Sequence, residues 1–214
     1  MKKLMSRREG ERLMKITKFV LRMWIFAFLL LLPSFLSAGE ATKQLSATID
    51  GFVPIISNTP RAELQANGPP ESARKLALAR FDFSDMTKRS LGQHWKSLNR
   101  EEQKQFVDAV TQWQLISFGR IVRSSQGDEV QFNRELQDGK EMSVETKVVR
   151  RYSEDLPIDY WLHNVNGQWK VFNMVIDHVD MVKNVNAQFE RVIAKSSLQE
   201  LLQKVKDQNP RSLG

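Results

Sequence analysis

The sequence predicts an α+β domain with a four-stranded antiparallel sheet. Three observations carry this. Helical apolar spacing occupies the first part of the chain, alternating strand-like runs occupy residues 130–176, and helical spacing resumes after Asp180. One Asn-Gly turn, Asn166-Gly167, joins two such runs, 157–163 and 169–176, and supplies the positive-φ positions a tight hairpin needs.

Each element follows from local pattern. Thr42 to Ile56 reads as a first helix with Leu45, Ile49, Phe52 and Val53 on one side. Residues 59–70, with Pro60, Gly68, Pro69 and Pro70, read as a linker, and Glu71 to Ala79 as a helix. Asn99 followed by Glu102 forms a capping box. The helix it opens places Phe106, Ala109, Val110, Trp113 and Ile116 on one face, with Gly119 marking a bend or its end. Asp180 caps a helix carrying Val182, Val185, Phe189, Val192 and Ile193, and a short helix with Leu198, Leu201, Leu202 and Val205 follows.

The apolar alternation also proposes a register. A three-residue loop, Gln137-Asp138-Gly139, sets Phe132 opposite Val144. The Asn166-Gly167 turn sets Leu162 opposite Val171, Tyr160 opposite Asn173 and Ile158 opposite Val175. If Val148 pairs with Ile158, one face collects Val130, Phe132, Val144, Thr146, Val148 and Ile158, then Tyr160, Leu162, Val171 and Val175. Phe106, Val110 and Trp113 are expected to lie over it. On the other face Trp161, Phe172, Met174 and Ile176 need cover from a helix.

Charge and composition exclude several functions. The chain has 214 residues, 32 basic and 25 acidic, with a net charge of +7. Residues 1–38 hold eight of the basic and two of the acidic residues, leaving 24 against 23. The domain is nearly neutral, which removes the electrostatic footprint of a nucleic-acid binder. A basic segment, the apolar run Met23–Leu32, Pro33 and small residues to Ala38-Gly39 read as a cleaved secretory leader over residues 1–38, with Met14 an alternative start. Residues 39–208 then form one domain, and residues 209–214 a frayed end. There is no cysteine, so thiolate metal ligands, disulfides and a lipoprotein anchor are excluded. His94, His163 and His178 are scattered without ligand spacing, and no metal site or cofactor is expected. No Gly-rich phosphate loop or GxSxG elbow occurs.

Two blocks resemble the MlaC, or toluene-tolerance, family of periplasmic phospholipid-binding proteins. One is PIDYWLH…NGQWKVFNMVIDHVDMVKN…QFERVI, similar to the family's strand, turn, strand and helix ending in a QFxRII-like run. The other is Phe81-Asp82-Phe83-Ser84-Asp85-Met86 through Arg89, Leu91-Gly92 and Trp95, similar to FDFxxMxxRxLGxxW. The resemblance covers residues 41–208. Asn173 stands where many members have Asp, and His178 and Asp180 replace a Gly and a Ser.

The resemblance implies a curved, nuclear-transport-factor-like sheet whose concave face is closed by helices and encloses acyl chains. The implied acyl pocket comprises Phe106, Val110, Trp113, Val130, Phe132, Val144 and Val148, with Ile158, Tyr160, Leu162, Val171, Asn173 and Val175. It also implies a non-enzymatic periplasmic phospholipid carrier with no catalytic residues. Its expected partners are an inner-membrane ABC lipid transporter with a tethered lipid-binding subunit and an outer-membrane lipoprotein–porin complex, serving outer-membrane lipid asymmetry. Two other readings use the same residues. An enzyme of a cone-shaped α+β fold would use Tyr160, Asn173 and Asp177 on one face, with Asp177 as a buried base. An exported adapter would dock through Lys88, Arg89, Arg120, Arg123, Arg150 or Arg151.

Overall fold

The computed structural model describes residues 39–125 and 127–207. The leader assigned to residues 1–38 and the C-terminal fraying assigned to 209–214 lie outside the described residues. Helices come first: α1 (Glu40–Asn58), α2 (Arg61–Asn67), α3 (Glu71–Arg80), α4 (Phe83–Leu91), a 3₁₀ segment (Gly92–Ser97) and α5 (Arg100–Ser124). Five strands follow: β1 (Glu129–Asp138), β2 (Glu141–Val149), β3 (Leu156–Val165), β4 (Gln168–Ile176) and β5 (Val179–Asp180). Helices α6 (Met181–Lys195) and α7 (Leu198–Lys206) complete the domain. The sheet is antiparallel throughout, in the order β1-β2-β3-β4-β5.

Short polar side chains fix the helix starts. Asn99 Oδ1 accepts from Glu101 N and Glu102 N while Glu102 Oε2 accepts from Asn99 N, so the capping box is present. Asp82 caps α4, Asp180 caps α6 and Ser197 caps α7 by the same chemistry. Two stretches depart from expectation. The segment read as a linker, 59–70, contains α2, whose Leu64 is buried. Gly119 does not end α5, which runs on to Ser124. A Cβ there would stand 3.3 Å from Pro69 Cγ, so glycine lets the α2–α3 connection pack directly on the helix.

Register differs from expectation in three places. The β1–β2 turn is a two-residue Gly139-Lys140 turn, with Gly139 at φ +59° and Asp138 opposite Glu141. An irregularity between Phe132 and Arg134 inserts one residue, so Phe132 faces Thr146 rather than Val144. The slip is two residues, and Phe132 stays on the expected face. Likewise Val148 pairs with Leu156, and Thr146 pairs with Ile158.

The third place changes which side chains meet. Leu162 pairs with Val171 as expected, but Trp161 then pairs with Asn173 and Tyr160 with Met174. Phe172 is an extra residue in β4, so everything beyond it is turned over relative to a regular ladder. Ile158 therefore pairs with Ile176.

Three clusters form the core. The inner sheet face, with Val144, Leu162, Val171 and Met174, packs on Ala41 and Leu45 of α1. A second cluster joins α1, α3, α4 and the later part of α5 through Phe52, Ala77, Phe83 and Leu115. The third joins the early part of α5 to α6 and α7 through Phe106, Val110, Phe189 and Leu201.

Candidate functional site

An apolar cavity of about 140 Å³ lies between the inner sheet face and the helices. Val130, Val148, Leu156, Ile158 and Tyr160 line its sheet wall with Met174 and Ile176. Thr48, Ile49, Phe52 and Val53 of α1 form a second wall. Phe118, Ile121 and Val122 of α5 form the third, with Ala77 and Phe81 beside them. Phe81 stacks on Phe83 (5.6 Å between centroids) and tilts against Phe118 (5.4 Å), packing this corner with aromatic rings. Ile121, 45 % exposed, meets solvent next to Ser125 and Asp128. The polar groups of the lining are Thr48, Ser125, Asp128 and Tyr160.

Of the residues assigned to the pocket, Val130, Val148, Ile158 and Tyr160 line this cavity. Phe132, Val144, Leu162 and Val171 are on the same face but belong to packed core; Val144, Leu162 and Val171 are fully buried. The inner face is thus hollow toward Leu156 and filled toward Leu162. Phe106, Val110 and Trp113 are elsewhere. They pack in the α5–α6–α7 cluster, with Trp113 against Phe189 (6.4 Å). Helix α5 has 25 residues, about 37 Å of rise, so its early turns serve one core and its later turns another.

Asn173 and Val175 face the other side of the sheet, because Phe172 shifts the pleat. Met174 and Ile176 take their places in the cavity wall. Asn173 has a definite task there. Its Oδ1 accepts from Met174 N (2.8 Å) and Val182 N (3.1 Å), and its Nδ2 donates to Asp180 Oδ1 (3.1 Å). It clamps the start of α6 to β4. Phe172 itself is buried against the His163 ring (5.1 Å) and beneath the Arg89 guanidinium (4.2 Å).

The catalytic arrangement considered from sequence does not assemble. Tyr160 faces the cavity, Asn173 the opposite side, and Asp177 is exposed in a turn at φ +48°. The Asp177 N–H donates to the Pro157 carbonyl (3.0 Å), which anchors that turn. Burial pushes the Tyr160 phenol up to about 12, so it stays protonated. Among the basic residues considered for docking, Arg89 pairs with Asp85 (2.7 Å) and Arg123 donates to the Ser57 carbonyl (2.9 Å). Among the described residues no cluster of His, Asp and Glu suits a metal ion, and no helix is long and apolar enough to cross a membrane.

The missed lining residues left uneven signals. Ile121 and Val122 continue helical spacing past Gly119, Phe118 directly precedes it, and Ile49, Phe52 and Val53 lie on one side of α1. Met174 and Ile176 gave none, because a bulge leaves no mark on alternation until the partner strand is seen.

The model of the family described as MlaC protein matches residues 53–207. Among solved structures, the phospholipid-binding protein from Ralstonia solanacearum, in complex with a phospholipid, superposes with a TM-score of 0.69 at 20% identity. The match covers 82% of this chain and 99% of that one, and shows that the two share a fold. No curated protein matches the sequence.

Proposed function

The chain belongs to the MlaC family, and on that premise we propose that it is an exported phospholipid carrier that holds acyl chains between the sheet and helices α1 and α5. The observation that carries this reading is the cavity: three walls of hydrocarbon, four polar groups in the lining, and an open side at Ile121. Each methylene taken from water is worth roughly 0.8 kcal/mol, so two long chains cost on the order of 20 kcal/mol to expose. A lipid crossing an aqueous compartment needs such a cavity, with the head group left in water. The phospholipid bound by the structurally similar Ralstonia protein supports the same ligand class.

At about 140 Å³ the cavity matches the roughly 150 Å³ void known to take a benzene ring. Loading a full acyl chain therefore requires the walls to part, and α1 and α5 are the walls not bound into the sheet ladder. The family and the leader point to the periplasm, with lipid passing between an inner-membrane ABC transporter bearing a tethered lipid-binding subunit and an outer-membrane lipoprotein–porin complex. In that setting the carrier serves outer-membrane lipid asymmetry. Lipid extraction from natively purified protein, followed by mass spectrometry, tests the reading. Phospholipid in near-stoichiometric amount is expected. Protein that is folded and lipid-free after exposure to phospholipid vesicles would favour an adapter or a soluble-substrate enzyme.

A further inference from the structure

Tyr160 is the one residue of the sheet wall with a polar side chain, and its surroundings give that hydroxyl nothing to do. The residue is 9 % exposed and lines the cavity. Its strand partners are Val144 and Met174, and its neighbours two residues away on the same face are Ile158 and Leu162. Among the described residues its hydroxyl has no hydrogen-bond partner. The cavity's other deep polar group, Thr48 Oγ1, is already engaged, donating to the Gln44 carbonyl (3.0 Å) and accepting from Arg80 Nε (3.2 Å). The hydroxyl is open to the cavity; cargo that fills the cavity cuts it off from water, and a hydroxyl buried in that way without a partner costs about 1–3 kcal/mol, which phenylalanine would avoid with nearly the same shape. The oxygen therefore calls for a partner brought in by the cargo.

The chemistry of an amphiphile narrows that partner. Hydrocarbon offers no acceptor, and a phosphate carries a charge too costly to desolvate in an apolar wall. The acceptors that enter with the chains are the carbonyl oxygens of the acyl esters. We propose that the Tyr160 O–H donates to an ester carbonyl of the bound lipid, so that the site selects diacyl glycerolipids over ether-linked lipids of the same shape. This rests on the carrier reading above. Burial holds the phenol protonated, so the donor persists across the ordinary pH range.

The test loads the delipidated full chain from vesicles of dioleoylphosphatidylglycerol mixed equally with its dialkyl ether analogue, and counts bound lipid by mass spectrometry. Wild type is expected to favour the diester by roughly 2- to 12-fold, the range one net hydrogen bond confers. Tyr160→Phe should bring the ratio to about one by lowering diester binding alone. A wild-type ratio of one, an unchanged ratio in Tyr160→Phe, or an equal loss of both lipids in that variant would overturn the proposal while leaving the carrier intact. A wild type that takes up neither lipid would instead defeat the carrier reading itself. The wild-type ratio needs no variant, so it decides the matter even if Tyr160→Phe fails to fold.

Discussion

The Arg80 guanidinium and the Trp169 backbone meet on one atom, Gln44 Oε1. Arg80 Nη1 donates to it at 2.7 Å, and the Trp169 N–H donates to it at 3.0 Å. Arg80 also donates to the Trp169 carbonyl and to Thr48 Oγ1. A buried cation thus ties α1, α3 and β4 together through neutral acceptors, beside the cavity wall that Thr48 belongs to.

Arg80→Met should lower stability by about 2–3 kcal/mol, since charged hydrogen bonds are lost and their acceptors stay buried. The relief of desolvating a cation offsets only part of that. Arg80→Lys should not restore it, because a single ammonium cannot span three acceptors as a planar fork does. Urea melts of delipidated protein measure both. A wild-type midpoint in Arg80→Met would show that the network contributes no net stability.

A second prediction concerns Asp159, which pairs with Glu145 across β2–β3. Burial, and then the Glu145 charge, raise its carboxyl above the ordinary value of 3.8. The folded state therefore holds the proton more tightly than the unfolded chain does. Any penalty is absent below pH about 4 and grows as pH rises through the folded value. Asp159→Asn should be more stable than wild type at neutral pH, with the gap closing in acid. Thermal melts at several pH values check this; a gap that widens in acid would contradict the sign.

Export supplies the third. The basic, apolar and small-residue order of residues 1–38 predicts cleavage near Ala38–Gly39, just before α1 begins at Glu40. Intact mass of the protein recovered from the periplasm should correspond to a chain starting close to Gly39. A full-length, membrane-retained product would make the leader an anchor and defeat the free-carrier reading.

What the sequence made legible was local. Asn166-Gly167, Asn99 with Glu102, and Asp180 each act through neighbours a few residues away, and each does what its chemistry predicts. The non-local placements were the ones missed. Phe106, Val110 and Trp113 have the right spacing for a buried face, but spacing cannot say which of two cores a long helix serves. The exchange of Asn173 and Val175 for Met174 and Ile176 depends on Phe172 being accommodated as a bulge. Its compensation, a ring held between His163 and Arg89, is visible only when α4 is packed against β4.

The same distinction yields the last prediction. Val171 and Ile176 lie on one face of β4, yet their surroundings differ. Val171 is fully buried in packed core opposite Leu162, whereas Ile176 is half-buried and lines the cavity opposite Ile158. Val171→Trp must force neighbours from their rotamers, an enlargement that costs about 1–3 kcal/mol or more. Ile176→Trp has empty volume to enter, so it should change the stability of delipidated protein little while excluding cargo. Bound lipid itself stabilises the fold, so melts must be run on stripped protein and lipid per folded molecule counted separately. The expected pattern is a destabilised Val171→Trp and a stable, lipid-poor Ile176→Trp. An Ile176→Trp protein that carries wild-type amounts of lipid would place the acyl chains outside this cavity.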